Sequence, residues 1–161
     1  MHQRFRFVPF LMLVLLSAHS AQAQIQLPTK RVLTLEAAKL LAKVASAEAT
    51  KNGWTMVFAV VDDGGNLVYL ERMDNAQTGS IEVAIQKAKT AISFKRPTKT
   101  FEDRALAGRT VLLALPGVVP IEGGVPIIVD GQHVGALGVS GGLSEQDGVA
   151  AQAALNAFSA R

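Results

Sequence analysis

The feature that most constrains the fold is a nearly uncharged, glycine-rich stretch at residues 116–142. Within it, a short apolar run at 125–129 is followed by Asp-Gly at 130–131 and a second apolar run at 133–139. Asp-Gly between two β-prone runs is typical of a tight turn between antiparallel strands, so the stretch predicts a β-hairpin. Pro126 has no amide hydrogen to donate to a neighbouring strand, which places the first strand at the edge of its sheet. We expect this hairpin to form the wall of a binding site.

A second hairpin is predicted earlier in the chain. A β-prone run at 54–61 is followed by turn residues at 62–66 and by a return strand at 67–73. Asp62 and Asp63 could be metal ligands. However, a tight turn requires Asp, Asn and Gly in any case, and no calcium-loop spacing follows them. We therefore interpret this segment as a turn.

Apolar residues recur at helical spacing in four further segments. Thr34 and Ser80 are the expected N-terminal caps of the first two, and an S-x-x-D pattern starts the last. The first predicted helix follows Thr34 and ends at 52–53, and the second runs from 81 to about 94. A short helix is predicted within 98–109, and the last runs over 149–158 after the start pattern at 144–147. Helices that alternate with hairpins predict an α+β domain, in which α-helices flank one antiparallel β-sheet.

The N-terminus has the layout of a secretory signal peptide, with basic residues, an apolar run at 7–16 and a small-x-small site at 21–23. We expect cleavage after Ala23, a flexible tail at 24–32 and a single domain at 33–161, in a periplasmic or secreted protein. The alternative is an uncleaved membrane anchor. That alternative needs a longer apolar run, so we expect no stable membrane insertion.

Composition excludes several classes of function. Arg4 and Arg6 would leave with the signal, which lowers the net charge from +3 to +1, and no basic cluster with interleaved aromatic residues supports nucleic-acid binding. The chain has no cysteine, which rules out disulfides, thiolate zinc sites and iron–sulfur clusters. The mature chain would keep one histidine, His133, so a two-histidine metal site within one chain is excluded. There is no Gly-x-Ser-x-Gly elbow or P-loop lysine, and we predict no catalytic residue.

Five separated motifs resemble the GlcG/HbpS-like family. They are LTLEAAKLLA at 33–42, VVDDGGNLVYLERMD at 60–74, GSIEVAIQKAKTA at 79–91, ALPGVVPIEGGVPIIVDGQHVGALGVSGG at 114–142 and SEQD at 144–147. The family is described as haem-binding or haem-degrading, and is related to the C-terminal domain of some cobalamin adenosyltransferases. The resemblance implies an antiparallel sheet flanked by helices, a homo-oligomer, and haem or a related tetrapyrrole as cofactor and partner.

Candidate cofactor-binding residues follow from this resemblance and from side-chain chemistry. They are His133 as the metal (axial) ligand, the R-M-D motif Arg72, Met73 and Asp74, the cations Lys87 and Arg96, and Gly123 and Gly124 beside the hairpin. Each has a structural alternative. A histidine beside a turn is usually an exposed loop residue, and cations near a helix C-terminus are favoured by the helix dipole.

The leading functional hypothesis is a secreted or periplasmic haem-binding protein that sequesters haem or slowly degrades it. A second hypothesis is an accessory protein or enzyme that acts on a small organic acid, such as glycolate, or on a corrinoid. It would use Lys87, Lys89 and Arg96 near Arg72 to hold a carboxylate. A third is an oligomeric interaction module without a small ligand.

Overall fold

The structure is a computed structural model, and it describes residues 25–159. The predicted signal peptide at 1–23 lies outside the described residues. In chain order the elements are α1 (Leu35–Lys51), β1 (Val57–Asp62), β2 (Leu67–Arg72), α2 (Ser80–Ser93), α3 (Lys99–Leu106), a 3₁₀ helix (Thr110–Ala114), β3 (Gly124–Val129), β4 (Gln132–Ser140) and α4 (Ser144–Ser159). None of the described helices is both long and apolar enough to cross a membrane.

The four strands form one antiparallel sheet in the order β2-β1-β4-β3. Both predicted hairpins are confirmed, and they join through β1 and β4, where Val57 lies opposite Ser140. The α+β fold class is confirmed with them. Strand β3 lies at the edge, as Pro126 indicated. Thr98 covers part of this edge: its hydroxyl accepts the Gly124 N–H at 2.9 Å, and its own N–H donates to the Gly124 carbonyl at 2.9 Å.

Helices cover the two faces of the sheet unequally. Helices α1 and α4 pack against each other and together bury one face, where Phe58 and Val60 point. On the opposite face α2 packs mainly against β1, β3 and β4, over Val57, Ala59 and Val61. This alternation along β1 follows from the two-residue period of a strand buried on both faces.

Helix α2 lies very close to the sheet because two hairpin glycines lack side chains. A Cβ at Gly138 would overlap the Ala84 carbonyl oxygen and would lie 2.7 Å from the Ala88 nitrogen. A Cβ at Gly124 would overlap the Lys87 carbonyl oxygen. On this face of the hairpin, glycine therefore serves helix packing rather than a ligand.

One of the two predicted helix caps is confirmed and the other is wrong. The Thr34 hydroxyl accepts the Ala37 N–H at 3.2 Å at the start of α1. Helix α2 instead has Gly79 at the cap position, and Ser80 is its first helical residue. The Ser80 hydroxyl is buried and has no hydrogen-bond partner among the described residues.

Contacts tie the end of the predicted tail to both hairpin turns. Lys30 forms an ion pair with Asp63, and Arg31 forms one with Asp130. The Arg31 N–H also donates to the Gln132 side chain at 3.0 Å. This segment therefore lies across the ends of the sheet before α1 begins.

Candidate functional site

A cleft of about 300 Å³ lies beside the edge strand β3. It is bounded by β3, by the first turns of α4 and by the start of α3, and we call it the edge cleft. Its lining residues are Pro97, Lys99, Glu122, Gly123, Gly124, Val125, Gly148, Val149 and Gln152. The predicted glycine pair at 123–124 therefore does border a concave surface. Most of the lining is apolar or bare backbone, with one cation, one carboxylate and one amide at its margin.

The floor of the edge cleft has no side chains at three glycines, Gly123, Gly124 and Gly148. Gly123 has a φ of +123°, a conformation that favours glycine, and a Cβ there would lie 3.0 Å from the Lys87 ammonium nitrogen. A Cβ at Gly148 would lie 2.6 Å from the carboxyl carbon of Glu122. A side chain at Gly123 would collide with the Lys87–Asp147 pair and one at Gly148 with Glu122, so the floor of the cleft is bare backbone at both positions.

Lys99 is the cation at the margin of the cleft. Its ammonium group lies 2.9 Å from an Asp103 oxygen and 3.4 Å from a Glu122 oxygen. The hydrogen bond to Asp103 and then the charge of Glu122 raise the pKa of Lys99, so it stays cationic at neutral pH. Glu102 of α3 joins the segment before β3 to the start of α4. Its carboxylate accepts the Glu122 N–H at 2.7 Å and the Ser144 hydroxyl at 2.9 Å.

A buried ion pair lies directly behind the floor of the cleft. The Lys87 ammonium donates to Asp147 at 2.7 Å and to the Val139 carbonyl at 3.1 Å, and the two side chains are 1% and 3% exposed. The other Asp147 oxygen accepts the Gly142 N–H at 3.0 Å. Burial raises the pKa of Asp147, and the charge of Lys87 opposes this rise. The pair joins α2, the end of β4 and the start of α4.

Sequence reasoning placed Lys87 among possible ligand-binding cations and missed Asp147, which it used only as part of a helix-start pattern. A signal for the pair was present. Lys87 falls three residues after Ala84 and four before Ala91, so it lies on the alanine face that α2 turns toward the sheet. A lysine on a buried helix face requires a buried counter-charge.

The R-M-D motif lies at the opposite edge of the sheet from the edge cleft. Arg72 donates from Nε to the Ala76 carbonyl at 3.1 Å rather than to Asp74, which is exposed. The Met73 sulfur accepts the Met56 N–H at 3.4 Å, and its side chain packs against the main core. Two of these three side chains thus have contacts within the fold.

Neither His133 nor Arg96 lines the edge cleft, although Arg96 directly precedes Pro97, which does. His133 is half-buried opposite Ile128, next to the β3–β4 turn, about 17 Å along β4 from Gly138 at about 3.4 Å per residue. Arg96 donates to the Phe94 carbonyl at 3.0 Å, and its guanidinium lies 5.8 Å from the Phe101 ring centre. The subunit does not bring His133 to the cleft.

The cations proposed to hold a small carboxylate are also dispersed. Arg72 lies near the start of α2 and Arg96 follows its end, so the length of the helix, about 21 Å, separates them. Lys87 points into the sheet, whereas the Lys89 side chain passes Gly65 in the β1–β2 turn. Asp62 at the start of that turn accepts four hydrogen bonds from Gly64 and Asn66, as a structural turn requires. Within residues 25–159 no three potential metal-ligating side chains of the His, Cys, Asp or Glu type cluster together.

Comparison with known proteins gives consistent matches over the whole domain. The family model described as "Haem degrading protein HbpS-like" matches residues 33–156. Protein GlcG of Escherichia coli K12 is 41% identical over 112 residues, which cover 70% of this chain and 84% of GlcG.

Two solved structures have the same fold. A double mutant of Streptomyces reticuli HbpS has a TM-score of 0.75 and 34% identity to this chain. The match covers 86% of this chain and 98% of the HbpS chain. PduOC in its complex with haem has a TM-score of 0.72 and 33% identity to this chain. The match covers 79% of this chain and 95% of the PduOC chain. The family model spans every strand and helix of the sheet domain except the last three residues of α4, and the chain belongs to the haem-degrading HbpS-like family.

Proposed function

We propose that this protein binds haem or a related tetrapyrrole in the edge cleft. The observation that carries the proposal is an apolar cleft at an open sheet edge with a cation at its margin, in a family one of whose relatives forms a haem complex. Val125, Val149 and the glycine floor offer apolar contact to the flat face of a macrocycle. Lys99 can pair with one of its carboxylates, which would compete with Asp103 and Glu122 for the ammonium group.

The cleft fits the macrocycle better than it fits the iron. Its volume is at the lower end of the range for small-molecule sites, so part of a bound haem would extend beyond it. None of its lining residues is histidine, methionine, cysteine or tyrosine, the usual axial ligands of haem iron. His133 could serve the iron only from a different site or a different subunit. Bound haem would supply iron redox chemistry, and this chain's residues would supply binding and orientation.

The proposed biological role is to sequester haem, or to present it to a partner, outside the cytoplasm. Arg4, Arg6 and the apolar run at 7–16 support export, and the small-x-small site at 21–23 supports cleavage. Mass spectrometry of protein from the periplasm or medium tests this location. The expected N-terminal residue is Gln24, and a full-length product retained in the cytoplasm would contradict export.

Titration of the apo protein with hemin, followed at the Soret band, tests binding. Val149 lines the cleft and is 49% exposed, so Val149→Arg should weaken binding by at least about tenfold. The matched control is Val111→Arg, because Val111 is 64% exposed and does not line the cleft. A wild-type protein without saturable binding would reject the proposed function. Equal losses in the two variants would reject the cleft as the site.

Metal-free protoporphyrin IX and His133→Ala test whether iron ligation matters. If apolar contact and carboxylate pairing dominate, protoporphyrin IX should bind within about tenfold of hemin, and His133→Ala should leave the Soret band unchanged. Loss of the hemin spectrum in His133→Ala would place the iron at His133 instead of at the edge cleft. No second function is proposed, because the cations that would hold a small acid are dispersed.

A further inference from the structure

Residues 104–121 run from the last turn of α3 to the segment before β3, and they carry large apolar side chains on the surface. We call them the α3–β3 connection. Leu106 is 81% exposed, Val111 64% and Leu113 62%. Among residues 106–117 only Leu112 is buried, and all the others are exposed. A contiguous apolar patch on a folded domain usually marks a surface that binds something.

The 3₁₀ helix at the centre of the connection explains why these side chains point outward. A 3₁₀ helix has three residues per turn, so residues i and i+3 lie in one column. Leu112 is buried, and its column faces the domain. The other two columns face solvent, and they carry Val111 with Ala114 and Thr110 with Leu113. The helix therefore presents a convex apolar ridge.

Hydrogen bonds hold the connection in place at its ends and along its second half. Glu102, just before it, accepts the N–H of Glu122, just after it, at 2.7 Å. The Thr90 hydroxyl of α2 donates to the Gly117 carbonyl at 3.1 Å and accepts the Val119 N–H at 3.0 Å. These contacts keep the apolar ridge in solvent, which is unfavourable unless another apolar phase covers it.

The α3–β3 connection is also basic. It contains Arg104 and Arg109 and no acidic residue. Both arginines are exposed, and neither forms an ion pair with another residue in the described part of the chain. The preceding acidic residue, Asp103, is paired with Lys99 at 2.9 Å. An apolar ridge flanked by cations complements a partner that is apolar inside and negatively charged outside, which is the chemistry of an anionic lipid bilayer.

We infer that the α3–β3 connection binds the surface of an anionic phospholipid membrane. Leu106, Val111 and Leu113 enter the boundary between headgroups and acyl chains, and Arg104 and Arg109 pair with lipid phosphates. The contact is peripheral and reversible, because a few apolar side chains and two cations give only weak attachment. The connection begins and ends beside the edge cleft, so bound protein would hold that cleft near the lipid surface. The inference does not depend on haem binding.

Flotation of apo protein with lipid vesicles tests the inference. The assay uses the chain from Gln24 onward, which contains every described helix and strand, so that the apolar run at 7–16 does not itself bind vesicles. Vesicles of phosphatidylcholine with phosphatidylglycerol are compared with vesicles of phosphatidylcholine alone. The wild type should bind the anionic vesicles more strongly, and rising salt should weaken that binding.

Matched pairs of surface substitutions locate the contact. Leu113→Glu puts a charge into the apolar ridge and should weaken vesicle binding at least about tenfold. Its control is Leu35→Glu in the first turn of α1, where Leu35 is 50% exposed, and this change should have no effect. Arg109→Gln should weaken binding to anionic vesicles about fivefold and leave binding to phosphatidylcholine unchanged. Its control is Lys43→Gln, at an exposed position of α1.

Absence of wild-type binding to the anionic vesicles would overturn the inference. Equal losses in Leu113→Glu and Leu35→Glu would also overturn it, because the contact would then not be at the ridge. If the ridge instead contacts a protein, the variants should change sedimentation of the protein alone and leave vesicle binding unchanged, which again overturns the inference. Urea unfolding should show unchanged stability in all four variants, since the replaced side chains are exposed. All measurements use apo protein, so failure of haem binding and failure of membrane binding are distinguishable.

Discussion

Replacing Lys87 with methionine should destabilise the domain strongly. Methionine keeps most of the side-chain length but removes the ammonium group that lies 2.7 Å from Asp147. The Asp147 carboxylate would then be buried without its cation, beside the backbone N–H groups of Gly142, which donates at 3.0 Å, and of Gly141. Removing one partner of a buried ion pair costs about 3–5 kcal/mol, because the other charge is left uncompensated. For a domain of this size, that corresponds to a fall of about 10–20 °C in Tm.

The loss should be larger at high pH than at low pH. Burial already raises the pKa of Asp147, and Lys87 limits the rise, so the pKa rises further when Lys87 is removed. The folded variant then holds a proton on Asp147 at pH values where the unfolded chain, with an ordinary pKa of 3.8, has lost it. A folded state that binds more protons loses stability as pH rises through this window. Lys87→Met should therefore lie closer to the wild type at about pH 5 than at about pH 8.

Urea unfolding at the two pH values, followed by fluorescence of the single tryptophan Trp54, measures this difference. The control is the double variant Lys87→Met/Asp147→Asn, which has no charge at either position. It should regain part of the lost stability and lose the extra pH dependence. A loss below about 1 kcal/mol at high pH, or equal losses at both pH values, would refute the argument that an uncompensated buried charge sets the cost.

Two further predictions use matched pairs of small substitutions, measured by the free energy of unfolding. Gly138→Ala should cost about 3 kcal/mol or more, because the new methyl group overlaps the Ala84 carbonyl oxygen, whereas Gly79→Ala meets nothing within 4 Å and should be neutral or stabilising. A cost below about 1 kcal/mol would show that α2 can shift. Thr34→Ala should cost about 0.5–2 kcal/mol through the lost cap, whereas Ser80→Ala removes an unpaired hydroxyl and should cost less.

Local structure was predictable because its signals are local. Asp130 and Gly131 both have positive φ values, 48° and 75°, which is the conformation that made Asp-Gly a turn signal. Pro126 indicated an edge strand through its missing amide hydrogen, and β3 is at the edge. The wrong N-cap prediction for α2 is an error of one residue, because Gly79 rather than Ser80 is at the cap position. The choice between these neighbours depends on the burial of Ser80, which the sequence pattern does not show.

Relations between distant segments were not predictable from the same signals. Lys87 and Asp147 are 60 residues apart in the sequence. They pair because the end of β4 places the start of α4 next to α2 in the fold. The candidate site residues were chosen for chemistry, and chemistry does not give their positions in the sheet. The strand order β2-β1-β4-β3 places Arg72 at one edge of the sheet and Gly124 at the other, and the hairpin register places His133 at the turn end of β4.

The glycines of the hairpin show why family membership determines this fold more firmly than its ligand. Gly124 is needed because the α2 backbone lies against it, and Gly148 because the Glu122 side chain crosses it. The bare floor of the edge cleft is thus a consequence of packing within this domain, whether or not a ligand binds there. Selectivity for a ligand must come from the residues that packing does not dictate, above all Val149 and Lys99 at the margin. Substitutions there should change ligand affinity while leaving the free energy of unfolding nearly unchanged, whereas substitutions of the glycines should change both.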